Sequence, residues 1–282
     1  MSALLLPSLI TLGLVNLYPL IYAAIQSVHR GSLVSTGPYV GGANYRASLH
    51  DPQFWHAVEF TGMFTLAGIF GSYVVGVALA LVLKAGVPGK SLFRVLLLVP
   101  WVAPQVVSIL SWNFLVGTST SFAVTVARDL GFGSPLFLAN STLAMVTVCV
   151  VKVWESFPFV MLVMGAALEG VEPSLYEAAS IDGASWYAQL RFLTAPLLRR
   201  VTYMTWVLMA IYSINDFSTI WLLTAGGPLT ATTNLMTYSY ELVFQNFQTG
   251  YGVTVAILTS VIMVIVSLSL YRMIRRSYVA AR

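Results

Sequence analysis

The stretch Glu177–Pro196, EAASIDGASWYAQLRFLTAP, is a short polar island between two long apolar runs, Thr142 to Leu168 and Val201 to Leu223. It carries helix signals on both sides of a glycine. Pro173 and Ser174 open the region. Ser174 and Glu177, three apart, have the spacing of a capping box, in which hydroxyl and carboxylate satisfy the bare N–H groups of a helix start. Gly183 ends this first helix, because a residue without Cβ enters the left-handed conformation that closes a helix at low cost. The chain then restarts through Trp186, Leu190 and Leu193 and stops at Pro196. The expected element, about residues 172–198, is a helix, a turn and a helix that reads as a docking element.

Composition sets the environment of everything around it. Hydrophobic residues make up 58% of the 282 and charged residues 9%, whereas about 25% charge is usual for a soluble domain. Mean hydropathy is +0.83. This is the composition of an integral membrane protein. Windows of about 20 apolar residues, the length that crosses a bilayer as helix, fall at Leu4 to Ile25, Phe60 to Leu83, Val95 to Val116, Thr142 to Leu168, Val201 to Leu223 and Val253 to Met273. Helices are required there, since lipid offers no partner to a bare backbone N–H and the runs are too long and too uniformly apolar for barrel strands. The expectation is an all-α polytopic membrane protein of about six transmembrane helices, a single domain over residues 1–282.

Positive charge orients the chain. Lys84, Lys90 and Arg94 lie between the second and third windows, Arg191, Arg199 and Arg200 between the fourth and fifth, and Arg272, Arg275, Arg276 and Arg282 after the sixth. Arg30, Arg46 and Arg128 fall in the opposite loops. The positive-inside rule therefore puts both termini and the Glu177–Pro196 island in the cytoplasm. The net charge of +4 is a topology signal and gives no support to nucleic-acid binding.

Other signals have plain readings. The first window lacks a basic leader and is long for a signal peptide. Gly86-Val-Pro-Gly89-Lys90-Ser91 lacks the first glycine of a phosphate-binding loop and reads as a basic turn. The lone Cys149 reads as a small core residue, and His29, His50 and His56 lack metal-site spacing. No catalytic set is visible. Gly62, Gly68, Gly71 and Gly76 suit close helix packing.

Polarity inside the windows is more informative. Lys152 and Glu155 share a helix face, and two readings stand: they neutralise each other, or Glu155 faces a water-filled path and contacts solute. Asn215 and Asp216 pose the same choice. Their amide and carboxylate suit hydroxyl groups, and Tyr212, Phe217 and Trp221 offer faces for a sugar ring. Pro100-Trp101-Val-Ala-Pro104 is expected to break the third helix twice.

Glu-Ala-Ala, the glycine six residues after Glu177, and the apolar-x-x-Pro end at Leu193 to Pro196 resemble the EAA loop of ABC importer permeases. Ala195 departs from the Leu usual before the final Pro. LLTAGGP at Leu222 to Pro228, Thr233-Asn-Leu, Tyr240 to Phe244 and GGANYRASLHDPQFWHAVEFT at Gly41 to Thr61 resemble the maltose-transporter type of carbohydrate permease. The resemblance implies a coupling helix, with Glu177, Ala178, Ala179, Asp182, Gly183 and Ala184 seated on an ATPase subunit. It implies a sugar site at Trp101, at Glu155, Ser156 and Phe159 around the W-x-x-F-P element Trp154 to Pro158, and at Asn215 and Asp216. Glu155 departs from the apolar residue familiar in that family.

The implied partners are two ATPase subunits, a second related permease, an extracytoplasmic solute-binding protein and membrane lipid. The implied location is a bacterial or archaeal inner membrane. No cofactor is expected in this chain, which has no nucleotide-binding motif, and ATP and Mg belong to the ATPase. An importer for another solute shares the loop and differs only in its cavity. An ion-driven carrier would use Lys152, Glu155 and Asp216 at the midplane but leaves the Glu177–Pro196 element without a purpose.

Overall fold

The computed structural model describes residues 11–85 and 88–279, with side chains described through residue 272. The start of the first apolar window, Gly86-Val87 of the basic turn, and the side chains of Arg275, Arg276 and Arg282 lie outside the described residues. The chain forms two compact units, Met1–Phe60 with Thr233–Ile262, and Thr61–Thr232 with Met263–Arg282.

In the first unit a π-helical turn, Gly13–Leu17, leads into α1 (Tyr18–Ser27), then an antiparallel hairpin of β1 (His29–Gly31) and β2 (Thr36–Tyr39), and α2 (Ala43–His50). The hairpin departs from an all-helical chain. Asn44 ties it down, donating from Nδ2 to the Ser27 and His29 carbonyls at 2.8 and 3.0 Å. The first turns of α3 (Pro52–Leu66), α13 (Leu235–Tyr240) and the start of α14 (Thr249–Val279) close over Phe54, Ala57, Leu235, Leu242 and Val255. Both Tyr238 and Tyr251 donate their hydroxyls to Asp51 Oδ2. Burial pushes the Asp51 carboxyl up, but the Tyr238, Gln53, Tyr251 and Phe54 donors outweigh it and hold the group below its ordinary value.

The second unit takes α3 through a π-helical turn, Ala67–Gly71, into α4 (Ser72–Lys84). Next come α5 (Lys90–Val102), α6 (Gln105–Val116), α7 (Phe122–Asp129) and α8 (Ser141–Glu169). The chain ends this unit's central run with α9 (Pro173–Ile181), α10 (Trp186–Gln189), α11 (Ala195–Ile214) and α12 (Ser218–Thr224). Helix α8 is the most buried membrane helix and packs along α4, with Val160, Met161, Met164 and Leu168 in one core with Ile69, Ala80, Leu198 and Met209. Glycine allows that approach: a Cβ at Gly76 would lie 2.7 Å from Val160 Cβ. Gly68 and Gly71 are equally crowded, whereas a Cβ at Gly62 would meet nothing within 4 Å in this chain.

Among the described residues three helices, Pro52–Lys84, Ser141–Glu169 and Thr249–Arg272, are long and apolar enough to cross a membrane, and two bent pairs raise the number to five. Of the first window, the described part is only the Gly13–Leu17 turn and α1. The bent pairs correct two further expectations. The third window breaks once: Pro100 is absorbed inside α5, and the 93° bend comes at Ala103, held extended by the following Pro104. The fifth window is two helices, α11 and α12, bent by 45° around Asn215–Phe217.

The Glu177 region differs from expectation at both ends. Helix α9 starts two residues earlier than the capping-box spacing implied, with Glu172 at the cap and Pro173 in the first turn, so Ser174 is already helical and makes no cap bond. Proline has no N–H to satisfy at that position and its φ suits a helix start. At the other end Pro196 does not stop the second arm. A π-helical turn, Leu190–Thr194, carries α10 into α11 and leaves the proline in the first turn of α11.

Candidate functional site

A cavity of about 450 Å³ opens where these breaks converge in the second unit. Trp101 reaches it from the end of α5, and Gln105 from the start of α6 just past the bend. Glu155, Ser156 and Phe159 line it from one face of α8, and Asn215, Asp216 and Phe217 from the kink between α11 and α12. All six residues that the carbohydrate-permease resemblance singled out therefore surround one space.

Its polar side is organised around a buried ion pair. Lys152 Nζ donates to Asp216 Oδ2 at 2.6 Å, with the two side chains only 8% and 3% exposed. That is the partner of Lys152, in place of the same-helix Glu155. Asp216 is well satisfied. Its Oδ1 accepts the Thr219 backbone N–H at 3.0 Å, and its Oδ2 lies 2.8 Å from the Thr219 hydroxyl. Such a pair costs several kcal/mol per ion to desolvate, and hydrogen bonds on the remaining acceptors make it tolerable. Thr219 Oγ1 also lies 3.0 Å from Glu155 Oε2 and accepts from Gln105 Nε2 at 3.2 Å. Thus α6, α8 and α12 are joined at one hydroxyl.

The apolar side is aromatic. Trp101 lies 5.9 Å from Phe159, and Phe159 is edge-on to Tyr212 at 6.4 Å. Trp101 and Tyr212 keep 50% and 58% of their surface open, so their faces are available. Trp221 does not line the cavity; it stacks on Phe217 at 5.4 Å and fixes that ring. Asn215 is exposed at the kink, donating Nδ2 to the Ile211 carbonyl at 2.9 Å. Gln105 and Thr219 were not singled out in the sequence. Gln105 directly follows a helix-breaking proline, and Thr219 stands three residues after an Asp that can cap a helix, spacings that become meaningful only with the breaks located.

The second element of interest is α9 with its turn. Glu177, Ala178, Asp182 and Gly183 are exposed, and Ala179 and Ala184 half-buried. Gly183 has φ +77°, the left-handed region that favours glycine, and Ala184 N–H returns to the Ala179 carbonyl at 2.9 Å to close the helix. The two arms are cross-braced: Gln189 Nε2 donates to Ser180 Oγ and the Ala184 carbonyl at 3.0 and 3.1 Å, and Tyr176 and Thr194 hydroxyls share a bond of 3.1 Å. Lys84 ties this brace to the membrane helices, with its ammonium 4.1 Å from the Tyr176 ring centre and 3.2 Å from the Leu168 carbonyl. Ile181 and Trp186 stand 86% and 68% exposed at the tip.

Residues 72–279 match the family described as binding-protein-dependent transport system inner membrane component. The chain belongs to this family. The permease is 30% identical over 237 residues to the trehalose/maltose transport system permease protein MalF of Thermococcus litoralis, covering 84% of this chain and 80% of that one. It is 28% identical over 255 residues to the trehalose transport system permease protein SugA of Mycobacterium tuberculosis, covering 89% and 81%. A solved bacterial ABC transporter that imports the acidic polysaccharide alginate shares the fold at a TM-score of 0.84 and 22% identity, covering 98% of this chain and 94% of that one. As a member of this family the chain is a transport component and not a catalyst.

Proposed function

We propose that this permease forms one half of the membrane pathway of an ATP-driven, binding-protein-dependent importer whose solute is an oligosaccharide or disaccharide. The observation that carries the reading is the cavity of about 450 Å³, which sets open aromatic faces opposite fixed carboxylate, amide and hydroxyl groups. A sugar presents the complementary pattern, apolar ring faces rimmed by hydroxyls, and the volume is that of a small-molecule site. The trehalose and maltose named for the relatives agree with it.

In this reading Trp101, Phe159 and Tyr212 stack on the sugar ring, while Glu155, Ser156, Asn215 and Asp216 bind hydroxyls. A loaded solute-binding protein docks outside. Two ATPase subunits, which hold ATP and Mg, close inside, and Glu177 to Ala184 carry that closure into the helices. The cross-braces within α9 to α11 and the Lys84 tie suit a lever that moves as one piece. Both termini lie in the cytoplasm, residues 1–282 act as one permease domain, and a second related permease completes the pathway.

Gentle detergent purification of the tagged chain from its native membrane tests the assembly, with an ATPase and a second permease expected in the complex. Reconstituted with its binding protein, the complex is expected to take up a disaccharide, and Asn215→Ala to reduce that uptake without dissociating it. Recovery of the chain alone, moving solute without ATP, would overturn the proposal.

A further inference from the structure

The cavity holds two carboxylates and one ammonium, and hydrogen-bond counting separates the carboxylates. Asp216 takes Lys152 Nζ at 2.6 Å and the Thr219 N–H at 3.0 Å, and this buried pair sits in the cavity wall with each charge held by the other. Glu155 has no cation among its hydrogen-bond partners. Its contacts are the Thr219 hydroxyl at 3.0 Å and the Gln105 amide, both neutral. The hydroxyl carries a single hydrogen and lies within bonding distance of both carboxylates, so it satisfies one at a time. Gln105 Nε2, with two hydrogens, also donates to Thr219 Oγ1 at 3.2 Å. Glu155, half-buried on the cavity wall, is thus left with acceptor capacity facing the space.

We infer that Glu155 is the charge filter of this cavity: it draws a saccharide through hydroxyl or ammonium donors and rejects sugars that carry a carboxylate, sulfonate or phosphate. The inference rests on the saccharide reading above and narrows it to neutral and amino sugars. Among the described residues that line the cavity the one cation, Lys152, is already paired with Asp216, so an anionic sugar brought beside Glu155 has no unpaired cation there to offset the repulsion. The permease would in this respect differ from the alginate importer whose fold it shares, since alginate is acidic.

The test is equilibrium binding of saccharides to the purified transporter complex, without the solute-binding protein so that selection outside does not intervene. Trp101 on the cavity wall supplies an intrinsic fluorescence signal. The probes are a neutral glucose disaccharide, its amino-sugar counterpart and its uronic-acid counterpart, applied to the wild-type complex and to Glu155→Gln. In the wild type the uronic acid is expected to bind about tenfold or more weakly than the neutral sugar, as like charges held close in a partly wet site require. In Glu155→Gln, which keeps the size of the side chain and removes its charge, that ratio is expected to approach one. Equal binding of neutral and acidic sugars to the wild type, or a ratio unchanged in the variant, overturns the filter and leaves the saccharide reading standing. Failure of all three probes to bind defeats the saccharide reading itself.

Discussion

The cavity and the α9 turn belong to the same compact unit, yet polarity is used in them in opposite ways. In the cavity, charge is scarce, buried and crosslinked: Lys152, Asp216, Thr219, Gln105 and Glu155 connect three helices through bonds of 2.6 to 3.2 Å. At the turn, charge and apolar surface alike stand open, with Glu177 and Asp182 exposed beside Ile181 and Trp186. The internal bonds there brace the element against itself and leave its tip free. A buried network determines its own geometry and makes any single deletion expensive, whereas an exposed element is insensitive in stability and acts only through what it meets.

The largest effect expected from that contrast is at Lys152. Lys152→Met strands the Asp216 carboxylate in a dry site and should cost about 3–5 kcal/mol of stability, with uptake lost. The melting midpoint of the purified complex measures the first part. Lys152→Met combined with Asp216→Asn should recover much of that stability, and a single variant as stable as wild type would show the pair to be solvated in the membrane.

At the turn the expected loss is in function and not in folding. Gly183→Pro cannot adopt φ +77°, because the proline ring fixes φ near −65°, and it should abolish uptake coupled to ATP. Glu177→Ala, on an exposed face, should leave the melting midpoint unchanged while lowering transport-coupled ATPase activity. Gly183→Ala sharpens the comparison: a Cβ there meets nothing within 4 Å, so only the left-handed backbone penalises it, by about 1–2 kcal/mol. Wild-type transport in both Gly183→Pro and Glu177→Ala would remove the lever from the mechanism.

The smallest effect belongs to Arg94→Ala. Arg94 pairs with Glu169 at 3.1 Å, but both side chains are largely exposed, 45% and 66%. Water screens that pair, and its loss should change stability by less than about 1 kcal/mol. A large drop there, beside a small one for Lys152→Met, would invert the comparison between buried and exposed charge.

Much of this was written in the linear chain, because bilayer chemistry is local and severe. Long apolar runs have to be helices whatever they pack against, the scarcity of charge marks each polar residue as meaningful, and Gly183 announces its left-handed turn. Glu155, Asn215 and Asp216 could be picked out because each interrupts an apolar pattern, whereas Trp101 came from the resemblance to carbohydrate permeases. The fold alone decided how they meet. The prolines announced a break in the third window, but hydropathy averages over a window and did not show that it is a single bend at Ala103, nor that the fifth window kinks at Asn215–Phe217, and the roles of Gln105 and Thr219 stayed hidden with them. Pairing was equally hidden. Lys152 has Glu155 three residues away on its own helix, yet its ammonium goes to Asp216, 64 residues on, because the α11–α12 kink delivers that carboxylate into the dry side of the cavity. Local spacing shows which charges can share a helix face, whereas a salt bridge between helices depends on where the backbones cross, which is set by the packing of the whole unit.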